Sequence, residues 1–341
     1  MISGRMGRDM QDASGIVHIV DDIPELDGHT GDLVLVHTLE GFLDAGSAAR
    51  LVAGALLGEL EDGDEPTPGG DEAAVGAGRD QPAATDGRVV ASFDIDQLYD
   101  YRARRPPLLF IEDHYEHYQA PRLVVRLQHD RRGRPYLVLT GPEPDIAWER
   151  FIEGVRAVID RLGVTLTIGL GGVPMAVPHT RRITYTMHAT RPEILPEHRS
   201  MFKGQLRIPG SAQAILEVRL GEWGYDAAGL VAHVPHYLAQ VDFPAAAVAL
   251  VNGVRSLAEL DVSTDELERA AEQAMTQITQ QIGDNEEIAE VVRALEGQYD
   301  AFERAADASL LAEGTDLPTG EELGAEFERF LAGLDRPDDR P

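Results

Sequence analysis

The hydrophobic positions of the chain follow two different periods, and the change between them divides the sequence near residue 259. Up to that point, short runs of β-branched and aliphatic residues alternate with longer amphipathic stretches. Such runs predict buried strands, and apolar residues recurring every three to four positions predict helices. The predicted strands are 33–39, 89–93, 108–111, 123–127, 136–140, 164–168, 184–189 and 228–234. The predicted helices are 48–60, 146–162, 212–223 and 244–257.

This alternation of strands and helices predicts an α/β fold in which parallel strands are flanked by helices. Two of the strands, 123–127 and 136–140, are joined by the turn-rich segment 130–134 and are predicted to form an antiparallel hairpin. The sheet is therefore expected to be mixed. Asp145 is the predicted cap of the helix that follows this hairpin.

From residue 259 onward only the helical period remains. Apolar residues at helical spacing predict two helices, 267–282 and 288–302, with Gly283 between them, and a third short helix near 320–332. Residues 259–341 hold 23 acidic and six basic residues. We therefore predict an α/β body over 17–258 and an acidic helical extension over 259–334, packed on the body or on another subunit.

Segment 61–87 interrupts the body. It is rich in glycine, proline and acidic residues and contains almost no large apolar side chain, so we predict a flexible insertion. Whether it orders on binding is left open.

Charge and cysteine content exclude several classes of function. The chain has 59 acidic and 30 basic residues, a formal net charge of −29. Such a surface repels phosphate groups, so neither nucleic acid nor an anionic membrane is an expected partner. The absence of cysteine excludes disulfides and thiolate chemistry. The N-terminal residues lack the apolar region of a signal peptide, and no apolar stretch is long enough to span a bilayer. We therefore expect a cytoplasmic protein.

The most promising chemistry lies where the strand predicted at 164–168 is expected to end, because ligands in open α/β sheets bind beyond the carboxyl ends of strands. The candidate loop comprises Asp44, Gly171, Gly172, His179, Thr180 and Arg181. Backbone N–H groups and an arginine fork could bind an anion or a carbonyl. Alternatively, the glycines form a turn and Arg181 pairs with a carboxylate of this acidic chain.

Other candidates have similar alternatives. Glu40 and Asp44 could supply a general base or, with a histidine, a metal ligand. Alternatively, Asp44 caps the next helix and Glu40 is solvated. Segment 112–117 is dense in histidine and carboxylate, yet its spacing alone does not establish a metal site, and no metal is expected. His233 and His236 are interpreted as packing or capping groups. Dinucleotide, Walker and G-x-S-x-G motifs are all missing, so no cofactor and no hydrolase triad are expected.

Four segments carry a family resemblance when taken in order: GFLDAGSAAR (41–50), GPEPDIAWERF (141–151), GGVPMAVPHTRR (171–182) and HVPHY (233–237). Together they resemble the bacterial, mainly actinobacterial, branch of the proteasome assembly chaperone family, of the second-subunit type. The resemblance implies a phosphorylase/hydrolase-like α/β body, a helical C-terminal part and self-association as a trimer. The hydrophobic-Tyr-any ending that archaeal relatives use for docking has no counterpart in the final residues, 336–341.

Two functions are consistent with these features. The first is a non-enzymatic, chaperone-like assembly protein whose partners are proteasome subunits or another protein with a basic surface. The second is a small-ligand-binding protein or an enzyme of the phosphorylase/hydrolase type that uses the strand-end loops.

Overall fold

The computed structural model describes residues 15–58, 87–196, 205–283 and 286–311. Its strands are β1 (Val17–Ile19), β2 (Leu33–Glu40), β3 (Arg88–Phe93), β4 (Leu108–Ile111), β5 (His114–Tyr118), β6 (Val124–His129), β7 (Pro135–Pro142), β8 (Val164–Met175), β9 (Tyr185–Ala189) and β10 (Ala227–Pro235). Its helices are α1 (Ala48–Leu57), α2 (Trp148–Leu162), α3 (Ala212–Trp223), α4 (Pro244–Ala258), α5 (Asp265–Gly283) and α6 (Glu286–Leu311).

Eight strands form one mixed sheet in the order β1-β3-β6-β7-β2-β8-β10-β9, which confirms the predicted fold class. The four central strands, β7, β2, β8 and β10, run parallel, and the outer strands pair antiparallel. The predicted hairpin is confirmed as β6 and β7. Strand β2 is buried from Leu33 to Leu39, as expected of a continuous apolar run at the centre of a sheet covered on both faces.

Helices cover both faces of this sheet and create two hydrophobic clusters. On one face, α1, α4 and α5 pack over Val34 and Val36 of β2. On the other face, α2 and α3 pack over Leu33 and Leu35. The helix that follows β2 and the helix that follows its parallel neighbour β7 therefore lie on opposite faces. Such a pair of strands is a topological switch point, where a crevice opens beyond the carboxyl ends.

Several element boundaries differ from the predicted ones, and three of them concern β8, α1 and α2. Strand β8 does not end before its glycines but continues through them to Met175, because Gly169, Gly171 and Gly172 pair with β10 like any other strand residue. Helix α1 ends at Leu57, where Gly58 adopts a left-handed conformation. Helix α2 starts at Trp148, two residues later than predicted.

The prediction that Asp145 caps α2 is wrong. Its Oδ2 accepts a hydrogen bond from the backbone N–H of Asp100 at 2.7 Å and pairs with Arg104, whose Nη2 lies 2.8 Å away. Ala147, with a φ of 56°, precedes the helix and contributes no side-chain cap. The carboxylate is therefore used in a tertiary contact.

The segment predicted as strand 108–111 does form a strand, but outside the main sheet. As β4, it pairs with β5 in a separate two-stranded sheet, which was not predicted from the sequence. The two strands are joined by a tight turn in which Glu112 adopts a φ of 50°.

The helical extension is continuous with the core of the body. Leu267 and Ile278 of α5 are 1% and 8% exposed and belong to the cluster that also contains Leu250 of α4. The insertion predicted at 61–87, apart from Gly87, and the helix predicted near 320–332 lie outside the described residues. Within the described ranges, no helix combines the length and apolar character needed to cross a bilayer.

Candidate functional site

The glycines of the candidate loop hold a neighbouring segment of the chain in place. The backbone N–H of Gly172 donates to the carbonyl of Leu43 at 2.8 Å, and Gly172 forms an isolated parallel bridge with Asp44. A Cβ on Gly172 would lie 2.6 Å from the carbonyl oxygen of Ala45, and one on Gly171 would lie 2.9 Å from that of Leu43. Segment 41–47 thus packs directly on the strand, at a distance that only glycine permits.

Asp44 does not occupy the N-cap position of helix α1, which is Ser47, but its side chain binds the first turn of that helix. Its Oδ1 accepts a hydrogen bond from the backbone N–H of Ala49 at 2.7 Å. Burial raises the pKa of this carboxyl to about 6, against the lowering effect of the Ala49 hydrogen bond and of nearby Arg50. The carboxyl that binds Ala49 therefore has a pKa above that of an ordinary aspartate. Glu40, the other carboxylate considered, is exposed at the end of β2.

His179 connects two strand-end loops. Its backbone N–H donates to the Tyr237 hydroxyl at 2.9 Å, and its Nδ1 lies 2.7 Å from the same oxygen. A hydroxyl can accept the first bond and donate the second when the imidazole is neutral. Burial lowers the pKa of His179, which favours that neutral form. The loop after β8 is thereby tied to the turn after β10.

Arg181 is held by two carboxylates of α6. Its Nε and Nη2 donate to the two oxygens of Asp300 at 2.8 and 2.9 Å, and its Nη1 lies 3.3 Å from Glu296. The hydroxyl of Thr180 also donates to Glu296. These bonds raise the pKa of Arg181, with the Asp300 hydrogen bond as the main cause. The fork expected at a ligand is thus occupied within the chain.

The candidate residues consequently form two groups and not one pocket. Asp44, Gly171 and Gly172 meet where segment 41–47 lies on β8. Thr180 and Arg181 face α6.

The remaining candidates occupy structural positions. The ring of buried His233 lies between the hydroxyls of Thr184 and Thr186, at 3.0 and 2.8 Å, and burial lowers its pKa to about 4. His114 begins β5 and contacts Asp113 at 3.1 Å. The side chain of His117 lies outside the described residues. Among the described side chains, no group of three or more His, Asp or Glu is placed to hold a metal ion.

Two buried or half-buried polar residues near the strand ends were not identified from the sequence. Glu143, just after β7, accepts hydrogen bonds from the backbone N–H groups of Ala212 at 2.7 Å and Phe42 at 3.3 Å. Its carboxylate thereby occupies the positive end of α3. His37, 3% exposed, packs against Gly169 of β8, and burial lowers its pKa to about 4. Glu143 lies in segment 141–151, which carries the family resemblance, but no local signal gave either residue a role, because their partners lie far along the chain.

The β4–β5 hairpin is the other feature that the sequence analysis missed. Large apolar or aromatic side chains on both strands are 49–70% exposed: Leu108, Leu109, Phe110, Tyr115 and Tyr118. The alternation in HYEHY after LLFI was the available signal.

The stem of this hairpin is anchored to the carboxyl edge of the main sheet. Arg104 reaches from the stem to Asp145, donates to the carbonyl of Glu143 and lies 4.6 Å from the ring centroid of Tyr99. The hairpin is therefore fixed at its base and exposed along its strands.

Residues 83–282 match the model of the PAC2 family. The fold is also similar to crystal structures of two proteins of unknown function. One is Rv2714 of Mycobacterium tuberculosis, with 41% identity, a TM-score of 0.76 and coverage of 94% of this chain and 97% of that one. The other is from Corynebacterium glutamicum, with 32% identity, a TM-score of 0.72 and coverage of 85% and 99%.

A third structure is that of Rv2125, described as a proteasome-assembly chaperone homologue of Mycobacterium tuberculosis. It is 24% identical, has a TM-score of 0.61 and covers 76% of this chain and all of its own. No curated protein matches the chain.

Proposed function

The chain belongs to the PAC2 family, and from that premise we propose that it is a non-enzymatic, chaperone-like assembly protein that self-associates and binds protein partners. The observation that carries the proposal is the β4–β5 hairpin, which exposes five large apolar or aromatic side chains outside the main sheet. Contiguous exposed apolar side chains mark protein-binding surfaces, and aromatic residues are enriched in such interfaces.

We propose that the hairpin binds a second copy of this chain. A two-stranded sheet on its own is only marginally stable in water, so its apolar side chains need a cover. Two copies that each carry a charge of −29 repel one another over most of their surfaces. Contact through the apolar and aromatic side chains of the hairpin offsets part of that repulsion. We propose a closed trimer, the state implied by the family resemblance.

The state of the strand-end loops favours a scaffold over an enzyme. The glycines hold segment 41–47, and Arg181 is paired with Asp300. These groups stabilise the chain itself, which is what a rigid binding platform requires.

Self-association is tested by sedimentation velocity on the full chain and two variants. Leu109→Glu places a charge in the hairpin surface while leaving the Phe110–Tyr115 ring contact, at 5.1 Å, in place. Phe42→Glu is the matched control, because Phe42 is an exposed apolar residue elsewhere, 59% accessible. We expect a trimer mass for wild type and Phe42→Glu and a lower mass for Leu109→Glu. A monomeric wild type, or a Leu109→Glu variant of unchanged mass, would contradict the assignment.

The acidic helices are the surface that we assign to a basic partner, and proteasome subunits are the proposed partner class, by extension from the role named for the Rv2125 homologue. Complementary charge accelerates encounter and is weakened by salt. Deleting the helices is not a usable test, because Leu267 and Ile278 belong to the core.

Charge-neutralising variants test this surface instead. Glu286 and Glu290 are exposed on α6, and Asp27 and Asp32 are exposed near β2. Binding to purified proteasome α-subunits should weaken in Glu286→Gln/Glu290→Gln and stay unchanged in Asp27→Asn/Asp32→Asn. An equal effect of both pairs would contradict a specific role of α6.

A further inference from the structure

Helix α6 contacts the loop that follows β8 through three polar side chains, Glu296, Tyr299 and Asp300. Their spacing of three and four positions places them on one face of the helix. They bind three consecutive loop residues, 180–182. We call this face of α6, with its pattern Glu-x-x-Tyr-Asp, the acidic strip.

The loop binds the acidic strip in the way that proteins bind free carboxylates. Arg181 donates from Nε and Nη2 to both oxygens of Asp300, which is a bidentate geometry. The hydroxyl of Thr180 donates to the second carboxylate of the strip, and the Tyr299 hydroxyl donates to the carbonyl of Arg182 at 3.2 Å. The helix that occupies the loop thereby identifies its ligand chemistry, which is two carboxylates and a phenol within five residues of a helix.

Contacts within the body hold this loop in shape. The backbone N–H and the ring of His179 both bind the Tyr237 hydroxyl, in the turn after β10. The backbone N–H of His233, on β10 itself, donates to the carbonyl of Thr184 at the other end of the loop. Because the body orders the loop, the loop loses little conformational entropy when it binds a ligand.

The attachment of α6 to the loop is weak. The side chains of Arg181 and Asp300 are 33% and 46% exposed, and ion pairs at such exposure contribute little to stability. Gly297 lies within the acidic strip, although an added Cβ there would meet nothing within 4 Å. Glycine lowers the intrinsic stability of a helix, so the strip lies at a weak point of α6.

Helix α5, by contrast, is fixed to the body by apolar contacts. Leu267 and Ile278 of α5 are buried in the core cluster. Release of α6 from the loop therefore leaves that cluster closed. Local openings of this kind require less free energy than unfolding of the whole domain.

We propose that the loop, with Thr180 and Arg181, is a binding site for an acidic helical segment of a partner protein, and that the acidic strip of α6 is an internal ligand which this segment displaces. The inference rests on the proposed function only in that the partner is a protein. The partner segment carries two carboxylates four helical positions apart, since that is the spacing of Glu296 and Asp300.

Competition between the internal and the external segment has a measurable consequence. A segment that belongs to the same chain competes at an effective concentration on the order of 1 mM. The apparent affinity for an external segment is reduced in proportion to the fraction of chains whose loop is open. Removing the carboxylates of the acidic strip should therefore strengthen external binding, whereas removing the Arg181 guanidinium should weaken it.

Fluorescence polarisation with the full chain tests the site. The probe is a fluorescein-labelled synthetic peptide with the sequence of residues 286–304, EEIAEVVRALEGQYDAFER. The Glu296→Gln/Asp300→Asn chain should bind this peptide about tenfold or more tighter than wild type. Adding Arg181→Gln to that variant should weaken binding about tenfold or more. Adding Arg150→Gln instead, which changes an exposed arginine of α2, is the matched control and should leave the affinity unchanged.

The same peptide with Glu296→Gln and Asp300→Asn distinguishes binding by carboxylates from nonspecific adhesion to a misfolded chain. Absence of saturable binding to the Glu296→Gln/Asp300→Asn chain, unchanged affinity after Arg181→Gln, or equal binding of the substituted peptide would each overturn the proposal. These variants leave the β4–β5 hairpin unchanged, so their sedimentation mass reports on self-association separately. A trimer mass that persists while peptide binding fails would refute this site alone.

Discussion

Replacing Gly172 with alanine tests whether the glycines of β8 serve the fold itself or an external ligand. The added Cβ would lie 2.6 Å from the carbonyl oxygen of Ala45 and 3.2 Å from the Cβ of Ala48, where ordinary contacts begin at 3.4 Å. Both obstacles belong to backbone or to a short side chain, so rotation of a side chain cannot relieve them. Segment 41–47 must move away from the strand.

The cost follows from the contacts that hold this segment. Forcing extra volume into a packed site costs about 1–3 kcal/mol, and loss of a hydrogen bond such as Gly172 N–H to Leu43 adds about 1 kcal/mol. We therefore expect the free energy of unfolding to fall by about 2–4 kcal/mol. In a domain of this size that loss lowers the melting temperature by about 4–8 °C.

Calorimetry of the ligand-free chain measures this difference, with Gly297→Ala as the matched control. A Cβ on Gly297, in α6, meets nothing within 4 Å, so alanine should leave the stability unchanged or raise it by up to about 1 kcal/mol through helix propensity. A Gly172→Ala variant with the same melting temperature as wild type would contradict the prediction that this glycine serves the fold. The glycine would then be free to serve a ligand.

Two further predictions concern buried histidines and the ion pair of the candidate loop. Burial lowers the pKa of His37 and of His233 from 6.5 to about 4, so between these pH values the unfolded chain binds more protons than the folded chain. Acidification through this pH range should therefore lower the free energy of unfolding by about 3 kcal/mol per histidine. Asp44, whose pKa is raised to about 6, offsets part of that loss of stability. His37→Gln should make the free energy of unfolding depend less steeply on pH, and an unchanged dependence would contradict this prediction. Asp300→Asn should increase amide hydrogen exchange in α6, whereas the melting temperature should stay nearly constant because the ion pair with Arg181 is partly exposed. Unchanged exchange in α6 would show that this ion pair does not hold the helix.

Local periodicity was sufficient to predict most elements of the fold. Strand β2 and helices α2 and α4 have strong apolar patterns of their own, and their predicted ranges agree with the structure within a few residues. Predictions were wrong where a residue contacts a distant part of the chain and not the local group that its residue type suggests. Asp145 has the residue type of a helix cap, but it binds Asp100 and Arg104 instead.

The candidate site was harder to predict for the same physical reason. The sequence shows glycines directly after an apolar run, but it does not show which part of the chain packs against them. In the structure the close neighbour is segment 41–47, more than 120 residues earlier in the chain. Similarly, Arg181 pairs with Asp300, which lies 119 residues later in the chain.

The burial of α5 in the core has a consequence for synthesis of the protein. Leu267 and Ile278 close the cluster beneath α1 and α4, so a nascent chain that ends near residue 258 exposes that cluster to water. Since apolar burial is the main driving force of folding, the body cannot reach full stability until α5 has left the ribosome. All strands of the sheet precede α5, so one face of the sheet stays partly uncovered until that helix has been made. Until α5 has been made, the uncovered cluster makes the nascent chain prone to aggregation and proteolysis. Packing of α5 is therefore a late step in the folding of this protein.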